Sequence, residues 1–278
     1  MGAVLYSQYF NAISDALHSV NPAYLVGGPV SSWWNGIDLR TFIHHSGSRI
    51  GFIDFHSYPV NNNYSTRAAY EAAVTLTNVM SARQAAAGTV AANLPIGLLE
   101  YNMNPDQQPN GNFGLPAQGT IVGAVYVALL LTHSFESDTN FTMGGLWDLV
   151  ADSNYGAIGN AQDGHSYRSI DPQGWYLRQA AEFMPGQHLL DTTTGPDLQV
   201  LATKTSRRFS IQLVNYNIHK KLSVTIRAKG YKPGSRVAQW ELSARYPKGQ
   251  LSMIPRLGHV SLPPQSIVIL NGQRDDTN

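Results

Sequence analysis

Helical and strand patterns alternate along residues 4–184, and this alternation is the feature that most constrains the fold. Short apolar runs bounded by glycine, proline or polar residues lie between stretches with helical spacing. The pattern predicts parallel strands joined by helical crossovers and covered on both faces. Predicted helices cover residues 4–20, 38–45, 65–87, 119–135 and 173–184. Predicted strands cover residues 24–29, 50–56, 96–100 and 144–150.

The periodicity changes after Pro185-Gly186, where apolar and polar residues begin to alternate. This alternation predicts a small antiparallel β-sandwich and a domain boundary near residue 187. The predicted sandwich strands are residues 209–214, 222–226, 236–242 and 266–270. The sequence therefore predicts an α/β chain with four parallel β/α units in residues 1–186 and an accessory β-sandwich in residues 187–278.

Charge and composition narrow the classes of partner. Lys and Arg number 19 against 18 Asp and Glu, a net charge of +1, which argues against nucleic acid. The longest apolar stretch, residues 121–132, is shorter than the roughly 20 residues needed to span a membrane. The chain has no cysteine, which excludes disulfides and thiolate chemistry. No signal peptide is predicted at the start of the sequence, so the compartment is left open.

Candidate functional residues follow from the rule that reactive groups gather at the carboxyl ends of parallel strands. The residues at these ends are Trp33, Trp34, His56, Tyr58, Glu100, Asn102, Trp147 and Asp148. Planar rings stack on sugars, amides and carboxylates bind hydroxyl groups, and a carboxylate can stabilise an oxocarbenium-like charge. The set therefore predicts a carbohydrate site.

Each candidate also has a purely structural interpretation. Glu100 could form an ordinary salt bridge at a strand end, and His56 could be a hydrogen-bonded core histidine. Tyr58 and Trp147 could be packing aromatics. Metal or cofactor chemistry is not predicted, because the histidines lack ligand-like spacing and the chain has no phosphate-loop pattern.

Taken together, these segments resemble the clan A glycoside hydrolases, particularly family 39 and its relatives. The first helix and strand look like the fourth helix and fifth strand of that barrel. Residues 54–59, 99–102 and 145–148 look like its sixth, seventh and eighth strands, and the sandwich also fits. The resemblance implies half of a (β/α)8 barrel and a retaining mechanism with Glu100 as the nucleophile. It also implies that His56 and Tyr58 orient Glu100, and that Trp147 forms a platform for an oligosaccharide or glycoside.

The sequence departs from that family at the general acid/base. Clan A enzymes place this glutamate after an asparagine at the end of the fourth strand, but no Asn-Glu pair occurs in the 278 residues. The chain is therefore expected to be the C-terminal half of such an enzyme, with weak or partner-dependent activity.

The sequence leaves three alternatives open. The chain could be a noncatalytic carbohydrate-binding protein, or a structural or regulatory fragment. It could also be a half-barrel that assembles with a second chain. Because exposed sheet edges are normally covered, a homo-oligomer or a partner chain completing the barrel is expected.

Overall fold

The computed structural model describes residues 2–59, 67–103, 119–136, 139, 141–147, 149, 157–158, 169–184, 188–227 and 233–274. Contacts divide the chain into two compact units. The first contains residues 1–61, 72–105 and 133–147, and the second contains residues 62–71, 106–132 and 148–278.

Helices and strands alternate through the first part of the chain, as the sequence predicts. The elements are α1 (Ala3–Val20), β1 (Gly27–Pro29), α2 (Leu39–Ser46), β2 (Phe52–Ser57), α3 (Ala68–Ala86), β3 (Ile96–Tyr101), α4 (Ile121–Ser134), β4 (Phe141–Leu146) and α5 (Pro172–Phe183). The four strands form one parallel sheet in the order β1-β2-β3-β4. This confirms the predicted α/β class: four parallel β/α units, half the number in a complete (β/α)8 barrel.

Two strands of the parallel sheet, β4 and β1, differ from the prediction by three residues or more at a boundary. β4 begins at Phe141, before the expected start at residue 144, because Phe141 pairs with Ile96 at the start of β3. The apolar run after Gly145 suggested a later strand, but the ladder ends at Leu146. β1 is limited to Gly27–Pro29, because the register with β2 covers only those residues.

Helix α1 packs on α2 through a narrow face. Phe10 is buried and meets Phe42 edge to face, with ring centroids 4.9 Å apart. Asp38 caps α2 by accepting a hydrogen bond from the Thr41 amide at 2.8 Å. The Phe10–Phe42 contact joins the two helices, and both rings lie close to Gly28 of β1.

α1 also carries an apolar stripe that is exposed in this chain. Its side chains are Leu5, Tyr9, Ile13, Leu17 and Val20, each between 39% and 77% exposed. The helix predicted from the spacing of apolar residues is therefore present, but most of those apolar residues do not face the core. A contiguous apolar patch of this kind is typical of an interaction surface.

The described residues after α5 form eight strands. They are β5 (His188–Leu190), β6 (Leu198–Lys204), β7 (Arg208–Asn215), β8 (Leu222–Thr225), β9 (Pro233–Leu242), β10 (Gln250–Ile254), β11 (His259–Leu262) and β12 (Ser266–Arg274). Six of them form the antiparallel sheet β10-β9-β12-β7-β6-β5, and β11 pairs with β8. All four predicted strands are present, and four further strands were missed. The core between the sheets includes Phe209, Leu213, Val260, Leu262 and Leu270.

Helices give way to antiparallel strands between Phe183 and His188. The second compact unit nevertheless includes α5 and most of α4 as well as the sandwich strands, so the domain boundary near residue 187 stays a prediction. None of the described helices combines the length and apolar character needed to cross a membrane.

Candidate active site

Glu100 lies near the carboxyl end of β3, in register with His56 of β2 and Gly145 of β4. The Tyr58 hydroxyl donates a hydrogen bond to Glu100 Oε1 at 2.6 Å. His56 Nδ1 lies 3.2 Å from the same oxygen. The side chains of His56 and Glu100 are 24% and 25% exposed. The carboxylate is thus held on one oxygen while remaining accessible from solvent.

Strand alternation explains why these side chains meet. His56 and Tyr58 are two residues apart and point to the same face of the sheet. The intervening Ser57 points to the other face, where its hydroxyl lies 3.0 Å from Thr75 Oγ1 of α3. Because β2 and β3 are parallel neighbours, their carboxyl ends bring His56 and Tyr58 to Glu100.

Asn102 supports the backbone of the site. Its amide nitrogen donates to the Ser57 carbonyl at 3.2 Å, and its Nδ2 donates to the Trp147 carbonyl at 2.7 Å. Asn102 is fully buried, and its Oδ1 accepts a hydrogen bond from the Met103 amide at 2.8 Å. The side chain therefore ties the end of β3 to Trp147, which is 42% exposed.

The loop after β1 is tied to β2. The Ser31 carbonyl accepts from the His56 amide at 2.8 Å, and the Ser31 hydroxyl donates to the Trp33 carbonyl at 2.6 Å. Trp33 is 58% exposed and lines a cavity of about 290 Å³ together with Tyr6 and Ser31. Trp34 is half-buried. An exposed indole at the wall of a cavity is a surface on which a planar or ring-shaped ligand can stack.

The structure brings part of the predicted set together. Among the predicted residues that the structure describes, His56 and Tyr58 contact the Glu100 side chain. Asn102 and Trp147 are joined to each other at the next strand ends, and Trp33 and Trp34 lie after β1. Asp148 lies outside the described residues.

The sequence was compared with protein-family models. The model described as "Glycosyl hydrolases family 39" matches residues 1–154, more than half of the chain. The chain belongs to this family. The matched range includes all four parallel strands of the family 39 chain and the cluster of His56, Tyr58 and Glu100. A comparison with curated proteins finds no match.

Solved structures share the fold of this family 39 chain at low sequence identity. A GH51 α-L-arabinofuranosidase from Thermotoga petrophila RKU-1 has a TM-score of 0.75 and 15% identity, covering 98% of this chain and 62% of its own. A monomeric β-xylosidase from Caulobacter crescentus CB15 has a TM-score of 0.68 and 13% identity, covering 97% of this chain and 65% of its own. A family 30 xylanase from Clostridium acetobutylicum has a TM-score of 0.61 and 13% identity, covering 98% and 61%. The chain thus spans about three fifths of the length of these glycoside hydrolases.

Sequence reasoning missed one ionisable group beside the site. Asp54 of β2 is 1% exposed, and its Oδ1 accepts from the Leu99 amide at 3.3 Å. Burial raises the pKa of Asp54, an effect that the Leu99 hydrogen bond and the His56 ring partly offset. A carboxylate in an otherwise apolar strand, two residues before His56, was the available signal.

Burial also raises the pKa of Tyr101, and burial together with the nearby Asp54 charge raises the pKa of Tyr6. In this family 39 chain, burial therefore favours the neutral form of the Tyr101 and Tyr6 phenols. Within the described residues, no group of three or more His, Asp or Glu side chains is arranged to hold a metal ion.

Proposed function

We propose that this chain carries the nucleophile of a retaining glycoside hydrolase and that Glu100 is that nucleophile. The observation that carries the proposal is the Glu100 carboxylate near a strand end, bonded on Oε1 by Tyr58 and adjacent to His56. Membership of glycosyl hydrolases family 39 supports the same reaction class.

In the proposed mechanism, Glu100 Oε2 attacks the anomeric carbon while the bond from that carbon to the leaving oxygen breaks. The leaving oxygen takes a proton from a general acid, and a glycosyl ester of Glu100 forms. Water, deprotonated by the same group acting as a base, then attacks the anomeric carbon and regenerates the carboxylate. The Tyr58 hydrogen bond to Oε1 holds the carboxylate orientation through both steps.

The general acid is proposed to come from outside these 278 residues, since the sequence contains no Asn-Glu pair. Without general acid assistance, turnover of unactivated glycosides falls by roughly 100- to 10,000-fold. Aryl glycosides with good leaving groups need less protonation, so the chain alone is expected to hydrolyse them weakly.

The remaining site residues are proposed to bind the sugar. Trp33, Trp34 and Trp147 provide indole surfaces for stacking, and Asp148 is proposed to accept hydrogen bonds from sugar hydroxyls. Asn102 is proposed to act on the sugar mainly through Trp147, because its amide group already bonds the backbone.

The nucleophile is tested with aryl glycosides and with activated 2-deoxy-2-fluoro glycosides, which accumulate the covalent intermediate. We expect slow release of the aryl alcohol and a mass increase on the peptide that carries Glu100. Glu100→Gln should lose both. Glu182→Gln, at an exposed helix position paired with Arg178, is the matched control and should retain both. Equal turnover by Glu100→Gln and the wild type would contradict the assignment.

A partner that completes the barrel is the second part of the proposal. The exposed apolar stripe of α1 supports it, because such a surface is normally covered. The occupant is proposed to be a second copy or a chain carrying the other β/α units. Light scattering at several concentrations is expected to show a dimer or a larger species, and a compact monomer at all concentrations would rule out self-assembly.

A noncatalytic carbohydrate-binding role is the competing function, and the exposed indoles of Trp33 and Trp147 favour it. Calorimetric titration with xylo- and gluco-oligosaccharides, paired with the aryl glycoside assay, separates the two. Binding without turnover or covalent trapping would establish the binding role in place of catalysis.

A further inference from the structure

We propose that Asp54 is a positioning residue for the reaction assigned above. Its carboxylate holds an extra residue in β3 that places Glu100 on the same face as His56 and Tyr58. The inference rests on the proposed function of Glu100, but the backbone arrangement on which it depends can be tested separately.

The register between β2 and β3 changes just before Glu100. Asp54 pairs with Gly97, whereas His56 pairs with Glu100, so two steps along β2 correspond to three along β3. The register between β3 and β4 does not change over the same residues, since Leu98 pairs with Met143 and Glu100 with Gly145. The irregularity is therefore a β-bulge confined to the β2–β3 pair.

The bulge decides which residue faces His56. In an unbroken register, the partner of His56 would be Leu99, and Glu100 would lie opposite Ser57, whose side chain points away from the site towards Thr75. A slip of one residue moves a side chain to the other face of a sheet. The extra residue in β3 is thus required for Glu100 to meet His56 and Tyr58.

Asp54 provides the partner for the bulge backbone. A bulge leaves a backbone group without its regular ladder partner, and here the Leu99 amide donates to Asp54 Oδ1 at 3.3 Å. Leu99 is the residue immediately before Glu100. Leu99 is 41% exposed, so its own side chain is only partly packed.

Burying a carboxylate is unfavourable unless hydrogen bonds compensate. Asp54 is nevertheless 1% exposed, between strand residues that are themselves buried and apolar, Ile53 and Phe55. An apolar residue would satisfy the strand core but could not accept the Leu99 hydrogen bond. The hydrogen-bond requirement of the bulge therefore explains the carboxylate at this position.

The test compares Asp54→Ala, which removes the acceptor, with Asp54→Asn, which keeps an oxygen able to accept from Leu99. For the aryl glycoside reaction, we expect Asp54→Ala to lower kcat by about 100-fold with little change in KM, since misplacement of a catalytic group by about 1 Å has an effect of this size. Asp54→Asn should recover most of that loss, to within about tenfold of the wild type.

Ser57→Ala is the matched control, because it removes a buried hydrogen bond from the same strand on the opposite face. It should lower stability without changing kcat. If Asp54→Ala does not fold, Asp54→Ser takes its place in the comparison. Its hydroxyl is a shorter acceptor, so we expect an intermediate loss of kcat. The proposal would be overturned if Asp54→Ala had the same kcat as Ser57→Ala.

Two NMR measurements separate this inference from the proposed function. Hydrogen exchange of the Leu99 amide should be faster in Asp54→Ala than in Asp54→Asn. The ring resonances of His56 should move in Asp54→Ala towards their positions in Glu100→Gln, as the contact between His56 and Glu100 opens. Unchanged exchange and unchanged resonances would overturn the positioning role even in an active enzyme. Absence of wild-type turnover would instead contradict the proposed function, and these two signals would still decide whether Asp54 holds the bulge.

Discussion

Two polar clusters of this chain contain the same kind of contact, a tyrosine hydroxyl that donates to a side-chain oxygen, but we expect them to have different roles. In the first compact unit, the Tyr58 hydroxyl donates to Glu100 at 2.6 Å, and in the second, the Tyr176 hydroxyl donates to Gln212 Oε1 at 2.7 Å. The second cluster is sealed, because Tyr176 and Gln212 are both fully buried. Gln212 Nε2 donates in turn to Thr132 Oγ1 at 3.0 Å, which links α4 and α5 to β7.

The difference between the clusters lies in charge and access. The acceptor of Tyr176 is a neutral amide without contact with solvent, so its hydrogen bonds can only support packing. The acceptor of Tyr58 is an ionisable carboxylate with a quarter of its side chain exposed. A buried tyrosine hydrogen bond is therefore not in itself the sign of a functional site. An accessible, oriented carboxylate is the more specific feature.

The same substitution in both clusters should separate the two roles, and the larger effect is expected at the accessible cluster. Tyr58→Phe removes a hydrogen bond to a charged group, worth about 1.5–3 kcal/mol, and should lower kcat/KM for aryl glycosides by roughly 10- to 100-fold. Thermal unfolding should change less than in Tyr176→Phe, because water can replace the lost donor at the solvent-accessible Glu100 carboxylate. An unchanged kcat/KM would remove Tyr58 from the site and weaken the contrast between the clusters.

Tyr176→Phe should have the opposite outcome. The substitution leaves the buried Gln212 oxygen without its hydroxyl donor, which is expected to lower the free energy of unfolding by about 1–2 kcal/mol. Turnover of aryl glycosides should equal that of the wild type at temperatures where the variant is folded. Urea unfolding and the same activity assay measure both quantities. A loss of kcat/KM in the folded variant would show that the sealed cluster also influences catalysis.

The sequence was sufficient for the parts of the fold that depend on local pattern. The order of helices and strands followed from apolar runs and breakers, and parallel neighbours at strand ends predicted that His56, Tyr58 and Glu100 would meet. The strands of the sandwich were harder to predict. β10 was missed because its residues are mostly exposed and show no in/out alternation, so its position depends on pairing with β9.

Features that depend on the relation between strands could not be derived from the sequence. The bulge before Glu100 is a difference in register between β2 and β3, and neither strand shows it alone. Asp54 could be noticed only as a polar residue in an apolar run, without the Leu99 amide that explains it. The exposure of the apolar stripe of α1 could not be derived for the same reason. Helical spacing predicts an apolar face but does not identify its partner.

The smallest predicted effect concerns pH and contrasts Asp54, which lies beside the accessible cluster, with the sealed cluster of Tyr176 and Gln212. Burial raises the pKa of Asp54 in the folded chain above its value in the unfolded chain. Protonated Asp54 is therefore favoured by folding, and this contribution to stability is complete below about pH 4, the ordinary range for aspartate, and is lost as the pH rises through the raised value. Urea unfolding from acidic to neutral pH should show wild-type stability falling relative to Asp54→Asn as the pH rises. The stability difference between wild type and Tyr176→Phe should stay constant over the same range, because the amide of Gln212 does not titrate. A constant difference for Asp54→Asn as well would show that Asp54 is not desolvated in solution, and the distinction between a titrating buried group and a non-titrating buried cluster would be lost.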